Sequence, residues 1–177
     1  EGAPLTIGQD FAKSLFMNVV AGCTTLVNAP LLRLAADIPR DAKSHDHWLA
    51  LVATQFGQVG VLENADILYR AHRGNVAGVR SVPASDVLGR ARRLFFRLET
   101  HRARYEALYR QAAAFLEMHG CRMSEPERSR LERVVAMRGR SAPCRFLEAA
   151  RAGALPDGAG RRLGFLLAGG GTRRSAS

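Results

Sequence analysis

The sequence contains few of the residues and motifs that define secreted proteins and enzymes. Its three cysteines, Cys23, Cys121 and Cys144, are an odd number with no close pairing. Reduced thiols of this kind fit the cytosol, the nucleus or an organelle interior better than secretion, and no secretory signal pattern is present. The composition therefore argues against a small disulfide-stabilised secreted domain.

Catalytic and phosphate-binding motifs are also missing. There is no G-x-S-x-G segment, and no pair of carboxylates is clearly placed for acid–base chemistry. The one glycine-rich stretch, GAGRRLG at 158–164, follows no predicted strand, so it does not match a phosphate-binding loop. We therefore predict a non-enzymatic protein without a cofactor.

Two residue pairs are candidates for a metal site or a catalytic site. His45 and His47 would share a face on a strand and could bind a metal, but at a helix N-terminus they diverge, and no third ligand is nearby. In that setting Asp46 is a favourable first-turn acid. His119 and Cys121 could form a nucleophile pair, but no third group would orient them. We predict neither a metal site nor a catalytic site.

Lysine is nearly absent, whereas arginine is abundant. The chain has 26 basic residues, of which only Lys13 and Lys43 are lysines, and its formal net charge is +10. Residues 1–66 carry a net charge of −3, whereas residues 67–177 carry +13. A field of that sign attracts phosphates, anionic lipid head groups or acidic protein surfaces.

The hydrophobic pattern predicts an all-α protein, an irregular helical bundle built around one long arginine-rich helix at about 85–119. Ser85 is the expected N-cap and Gly120 the stop. Apolar residues recur along the helix at alternating steps of three and four, and we find no convincing strand. The predicted regions are an apolar N-terminal helical segment at 1–40, a helical core at 44–155 and a flexible tail rich in Gly, Arg and Ser at 156–177.

Within the core, local signals predict three further helices. Ser44 is the expected N-cap of a helix that extends toward residue 72, although Gly57 and Gly60 weaken it. Ser124 and Glu127 form a capping box for a helix that stops at Gly139. A similar but weaker pattern runs from Ser141 to Gly153.

The segment Ser14–Leu32 has no charged residue and is flanked by Lys13 and Arg33. Its length approaches that of a membrane span, but it contains Asn18, Thr24, Thr25, Asn28 and Pro30. We expect a buried helix that ends before Pro30 and packs against other subunits or a membrane, with a true membrane span as the alternative. The candidate packing residues are Leu15, Phe16, Val19, Val20 and Leu26.

The arginine surplus in the second half of the chain exceeds what local pairing can offset. Arg102–Glu106 and Glu106–Arg110 have the i,i+4 spacing of helical ion pairs, but acids are few in this span. A chain that folds alone would experience self-repulsion, so we expect an anionic partner. The candidate contacts for that partner are Arg90, Arg93, Arg97, Arg104, Arg128 and Arg138.

The tripeptide Leu-Tyr-Arg occurs at 68–70 and again at 108–110, where Phe115 follows it. It resembles the signature of the small three-helix mitochondrial proteins that serve as respiratory-complex subunits and iron–sulfur assembly factors. In that family the tripeptide opens the first helix, whereas the second copy here lies within the predicted long helix. The resemblance covers three residues and one phenylalanine, so we do not assign the chain to that family or transfer residue roles.

These features favour a non-catalytic structural accessory subunit of a large assembly, placed in mitochondria at an energy-converting membrane complex such as the respiratory chain or ATP synthase. The expected partners are other protein subunits, with an anionic lipid such as cardiolipin as a further candidate. A chain that begins at Glu1 rather than methionine fits this location if a leader was removed. The first alternative is an RNA-binding peripheral protein of an organellar ribosome, and the second is a helical enzyme or effector domain.

Overall fold

The protein is mostly helical, as the sequence predicted. The computed structural model describes residues 5–6, 10–18, 20–62, 87–156 and 159–168, with side chains from residue 10 onward except at 87–99, 159–161 and 168. The helices in these ranges are α1 (Phe11–Ser14), α2 (Ala29–Leu34), α3 (His45–Phe56), α4 (Val87–His119), α5 (Glu125–Ala136), α6 (Ala142–Arg151) and α7 (Ala159–Ala168). Two 3-10 turns lie at Gly22–Thr24 and Gly120–Arg122.

Helix α4 is the predicted long helix. It has 33 residues, which corresponds to about 50 Å, and it ends at Gly120 as expected. The expected cap, Ser85, lies outside the described residues. Among the described side chains of α4, burial begins near Tyr105 and continues to the C-terminus, so the second half of the helix forms the centre of the core. Leu108 and Tyr109 of the second Leu-Tyr-Arg copy are core residues.

The core forms where α1, α3, α5, α6 and α7 surround this second half of α4. Trp48 from α3 stacks edge-on against Phe115 of α4, with ring centroids 5.3 Å apart. Leu131 and Val134 of α5 and Ala149 of α6 are completely buried. Such aromatic and aliphatic burial is the main source of stability for helices whose own propensity is modest.

Two short strands are present, although the sequence showed none. β1 (Leu5–Thr6) pairs antiparallel with β2 (Gly60–Val61). The strand β2 is possible because α3 ends at Phe56 rather than near residue 72. Gly57 adopts φ −153° and ψ −141°, a conformation outside the helical region. The expected continuation of the helix at 63–72 lies outside the described residues.

The N-terminal segment is not the long helix that we expected. Helix α1 stops at Ser14, and the described residues 15–18 and 20–28 contain only a turn and the 3-10 turn. Pro30 does not end a helix but lies in the first turn of α2, where its missing N–H has no intrahelical partner to lose. The Asn28 side chain caps α2 by accepting a hydrogen bond from the Leu31 N–H at 3.0 Å. Among the described residues, no helix combines the length and apolarity that crossing a bilayer requires.

The predicted tail is also partly wrong. Residues 159–168 form α7, and Phe165 is fully buried against Phe16 and Tyr105, with ring centroids 5.6 and 5.4 Å away. The pairing of one buried aromatic residue with partners more than fifty positions away is a tertiary effect that local composition does not reveal. Residues 169–177 lie outside the described part of the chain.

The local signals for α5 and α6 were correct. Glu127 accepts a hydrogen bond from the Ser124 hydroxyl at 2.7 Å and one from the Ser124 backbone N–H, which is the returning half of a capping box. After α6, Gly153 has φ +69°, and the Ala154 N–H reaches the Ala149 carbonyl at 2.8 Å. This is the Schellman arrangement, which favours glycine because its φ is positive.

Candidate interaction surfaces

The first half of α4 is rich in arginine and poor in acidic residues. We call residues 87–104 the basic arm. It contains one glutamate, Glu99, and six arginines, which gives a net charge of +5. The arginines are Arg90, Arg92, Arg93, Arg97, Arg102 and Arg104.

The described end of the basic arm is exposed on every side. The five consecutive residues Thr100–Arg104 are all exposed. A helical turn takes about 3.6 residues, so no face of the helix is covered by the rest of the chain at this level. Coverage resumes one residue later, at Tyr105. The helix therefore leaves the core here.

Positive charges accumulate at the base of the basic arm. Partial burial and the neighbouring Arg104 guanidinium lower the pKa of Lys43, while Asp46 opposes them. Among the described residues Arg104 has no carboxylate within ion-pair distance, whereas the next arginine along the helix, Arg110, lies 3.7 Å from Asp41. The positive charges of Lys43 and Arg104 repel each other unless a nearby anion offsets them.

The six predicted anion-contact arginines fall into two groups. Arg90, Arg93 and Arg97 lie on the basic arm, but their side chains are outside the described set, and Arg104 is exposed at its base. Arg128 and Arg138 instead have carboxylate partners within the chain. Arg128 lies 3.0 Å from Glu132, and Arg138 pairs with Glu106. The arginines after residue 120 are thus partly neutralised internally.

A second surface lies in the N-terminal segment. We call residues 20–32 the apolar loop, because it contains no charged side chain. None of its residues is buried, Leu26 is 94% exposed, and Leu32 is 55% exposed. Of the other predicted packing residues, Leu15 and Phe16 are buried in the core of this chain, Val20 is half-buried, and Val19 lies outside the described residues.

The base of the apolar loop is held by the start of α3. The Asn18 side chain and the Gly22 N–H lie near the Asp46 carboxylate and favour its ionised form. Partial burial opposes ionisation of Asp46, but these groups, with Ser44 and His47, outweigh it and lower its pKa. A Cβ on Gly22 would lie 2.6 Å from His45 Nε2, so a larger residue at this position would have to displace the exposed His45 ring. Asp46 is thus the first-turn acid that the sequence predicted and also a tether for the loop.

His47 is occupied by a structural network. Its Nε2 donates to the Ser14 carbonyl at 2.7 Å, and its Nδ1 accepts from the Gln111 amide at 3.2 Å. Gln111 in turn accepts the Lys43 N–H at 2.8 Å. Burial lowers the pKa of His47. Its two ring nitrogens bond to Ser14 of α1 and Gln111 of α4, so the side chain links α3 to both helices. His45 is exposed and diverges from it.

The other catalytic candidates do not form a site either. His119 is buried among the rings of Trp48, Phe56 and Phe115, whereas Cys121 is exposed. In the part of the chain that the structure describes, no three His, Cys, Asp or Glu side chains come together as metal ligands would. A cleft of about 230 Å³ lies between α1 and α5, but its carboxylates, Asp10 and Glu127, are already engaged in capping their helices.

No relative identifies the chain. No protein-family model, no curated protein and no solved structure matches it. The function must therefore be inferred from the chemistry of the basic arm and the apolar loop.

Sequence reasoning missed two residues that organise the structure. Arg145 was one of many arginines in the sequence, but it is 4% exposed and donates to the carbonyls of Arg140 and Leu166 at 2.6 and 3.0 Å. The only sequence signal was its position on the apolar face of a capped helix. The role of Asp46 as a tether had no sequence signal, because Gly22 and Asn18 reach it through the fold.

Proposed function

We propose that this protein is a non-catalytic structural accessory subunit that docks onto an acidic protein surface through the basic arm. One observation carries the proposal: α4 leaves the core at Thr100–Arg104, with every side exposed and with arginine as its main polar residue. A helix exposed all round gains no stability from its own core at that level. Contact with an acidic partner would supply burial and negative charge to this arginine-rich stretch.

An acidic protein fits this surface better than RNA does. Proteins that bind single-stranded RNA present aromatic rings on which bases stack. Tyr105 and Tyr109, next to the arm, are half-buried and buried, so they do not offer free stacking faces, whereas Phe95 and Phe96 of the arm lie outside the described side chains. Arginine also forms the planar, bidentate carboxylate pairs that protein interfaces favour, which lysine does not form.

We place the assembly at a mitochondrial energy-converting membrane complex, such as the respiratory chain or ATP synthase. Two features support this location. The cysteines Cys23, Cys121 and Cys144 are exposed and unpaired, which suits a reducing compartment. Mitochondrial membranes also offer the anionic lipid cardiolipin beside acidic protein subunits.

The test is gentle extraction of the tagged protein from its native source, followed by sizing. We expect the wild-type chain to migrate in a particle far larger than its own 19.3 kDa. The triple variant Arg93→Glu, Arg97→Glu and Arg104→Glu should migrate as a monomer with unchanged helicity. The matched control changes three exposed arginines outside the arm, Arg122→Glu, Arg130→Glu and Arg140→Glu, and should remain in the particle.

Other outcomes decide against the proposal. A wild-type chain that migrates alone, or two triple variants that behave alike, would show that the basic arm does not dock. Release by nuclease would identify RNA as the partner. In that case the affinity of the isolated chain should fall steeply with salt, because each phosphate contact releases counterions.

A further inference from the structure

We propose that the apolar loop inserts shallowly into the head-group region of an anionic bilayer, with Leu26 at its tip. The proposal concerns a different surface from the basic arm and does not rest on the acidic protein partner. Leu26 is 94% exposed, and Leu32, in the following helix α2, is 55% exposed. Burying a leucine side chain is favourable. A partner that covers Leu26 and Leu32 would therefore gain binding free energy that the isolated fold does not use.

Three polar side chains of the loop form hydrogen bonds within the segment itself. The hydroxyls of Thr24 and Thr25 both donate to the Ala21 carbonyl, at 3.0 and 2.8 Å. Asn28 caps α2 at 3.0 Å. Transfer of a polar group to an apolar environment is costly only when its hydrogen bonds are lost. These side chains, which argued against a membrane span in the sequence, therefore present little obstacle to shallow insertion.

The charge of the surrounding segment favours an anionic bilayer over an apolar protein groove. No acidic residue occurs in the sequence between Asp10 and Asp37, and in the fold the Asp46 carboxylate lies at the base of the loop. Arg33, one residue after the loop, is exposed. A basic residue beside a shallow apolar insertion is attracted by the negative surface potential of a bilayer. A purely apolar groove would offer Arg33 no counter-charge.

The loop is held in place before any contact is made. The Asn18 side chain and the Gly22 N–H lie near the Asp46 carboxylate at the base of the loop. The Asn18 side chain also accepts the Val20 N–H at 3.1 Å. A tethered loop loses less conformational entropy on insertion than a free one. The fold thus presents Leu26 in a fixed position rather than at random.

The experiment is co-sedimentation of the full chain with vesicles. The probes are phosphatidylcholine vesicles and phosphatidylcholine vesicles that contain cardiolipin. We expect binding to the second kind only, and Leu26→Asp should weaken that binding about ten- to a hundredfold. Because Leu26 is almost fully exposed, this change should not affect folding. The matched control is Leu163→Asp, a leucine that is 57% exposed on α7, and it should bind as the wild type does.

A second readout separates insertion from attraction by the basic arm. Cys23 lies in the loop, and Cys144 is an equally unpaired exposed thiol on α6. An environment-sensitive dye on Cys23, with the other two cysteines changed to serine, should shift to the blue on cardiolipin vesicles, whereas the same dye on Cys144 should not. Equal responses at both sites, an unchanged affinity in Leu26→Asp, or no binding of the wild type to either vesicle would overturn the proposal.

Discussion

At the scale of single residues, the buried polar groups distinguish this fold from a generic helical bundle. His47 was considered as a metal ligand because of its spacing from His45, but its ring nitrogens join Ser14 to Gln111. The spacing was a real feature of the sequence, whereas the two partners come from residues 33 and 64 positions away. Only the tertiary fold could reveal that the imidazole is structural.

Because His47 is buried as the neutral form, the stability of the protein should depend on pH. Burial first, and then Lys43 and Arg104, lower its pKa from the ordinary value of 6.5, while the Ser14 carbonyl and Asp46 oppose them. The unfolded chain therefore binds a proton more readily than the folded chain. The free energy of unfolding should fall as pH falls below about 6.5, until the folded-state pKa is reached, which urea denaturation at several pH values would measure.

The variant His47→Gln should make this dependence shallower. It should also cost about 1–3 kcal/mol at neutral pH, because Ser14 and Gln111 lose a buried partner. Some dependence should remain, since burial and Arg122 lower the pKa of His119 in the same direction. The control is His101→Gln, at an exposed position of α4, which should retain the wild-type pH profile. Equal pH profiles for His47→Gln and the wild type would contradict this account.

At the scale of elements, the segments that the sequence predicted well are those specified by their own ends. The start of α5 follows from Ser124 and Glu127, and the end of α6 from Gly153, because capping and positive φ are local effects. The apolar loop and α7 could not be predicted in this way. The position of the apolar loop depends on the contact between Asp46 and Gly22. The position of α7 depends on the packing of Phe165 against Phe16.

The docking of α7 also depends on Arg145, and this gives a test at the element scale. Arg145→Leu leaves the carbonyls of Arg140 and Leu166 without their buried donor, which should cost about 1–3 kcal/mol. The loss should be concentrated in α7, because Leu166 lies in its last turn. Hydrogen exchange should therefore show faster exchange at 159–168 than at 125–136.

The control for this test is Arg151→Leu on the same helix. Arg151 is 57% exposed and pairs with Glu148 at 3.1 Å. Exposed pairs of this kind contribute about 0–1 kcal/mol, so the control should be close to wild type. If Arg145→Leu accelerates exchange equally in α5 and α7, its role is general packing rather than attachment of α7.

At the scale of the whole molecule, the distribution of charge is the feature that links sequence, fold and proposed function. The positive excess from residue 67 onward is visible in the sequence. Which of these arginines lie beside carboxylates of the same chain is visible only in the fold. Arg128, Arg133 and Arg138 are matched with carboxylates of the same chain. The basic arm has one acid for six arginines in its own sequence.

This distribution of charge predicts how the isolated protein should respond to salt. Self-repulsion in the basic arm is screened over about 10 Å at 0.1 M salt, so the midpoint of thermal unfolding should rise as salt is added. The triple variant Arg90→Gln, Arg93→Gln and Arg97→Gln should show a weaker rise and begin from a midpoint no lower than wild type. The variant Arg128→Gln, Arg133→Gln and Arg138→Gln removes the same charge but breaks internal ion pairs, so its midpoint should fall at low salt. Equal behaviour of the two variants would mean that total charge, rather than its placement on α4, determines the response, and the electrostatic support for a docking role of the arm would be lost.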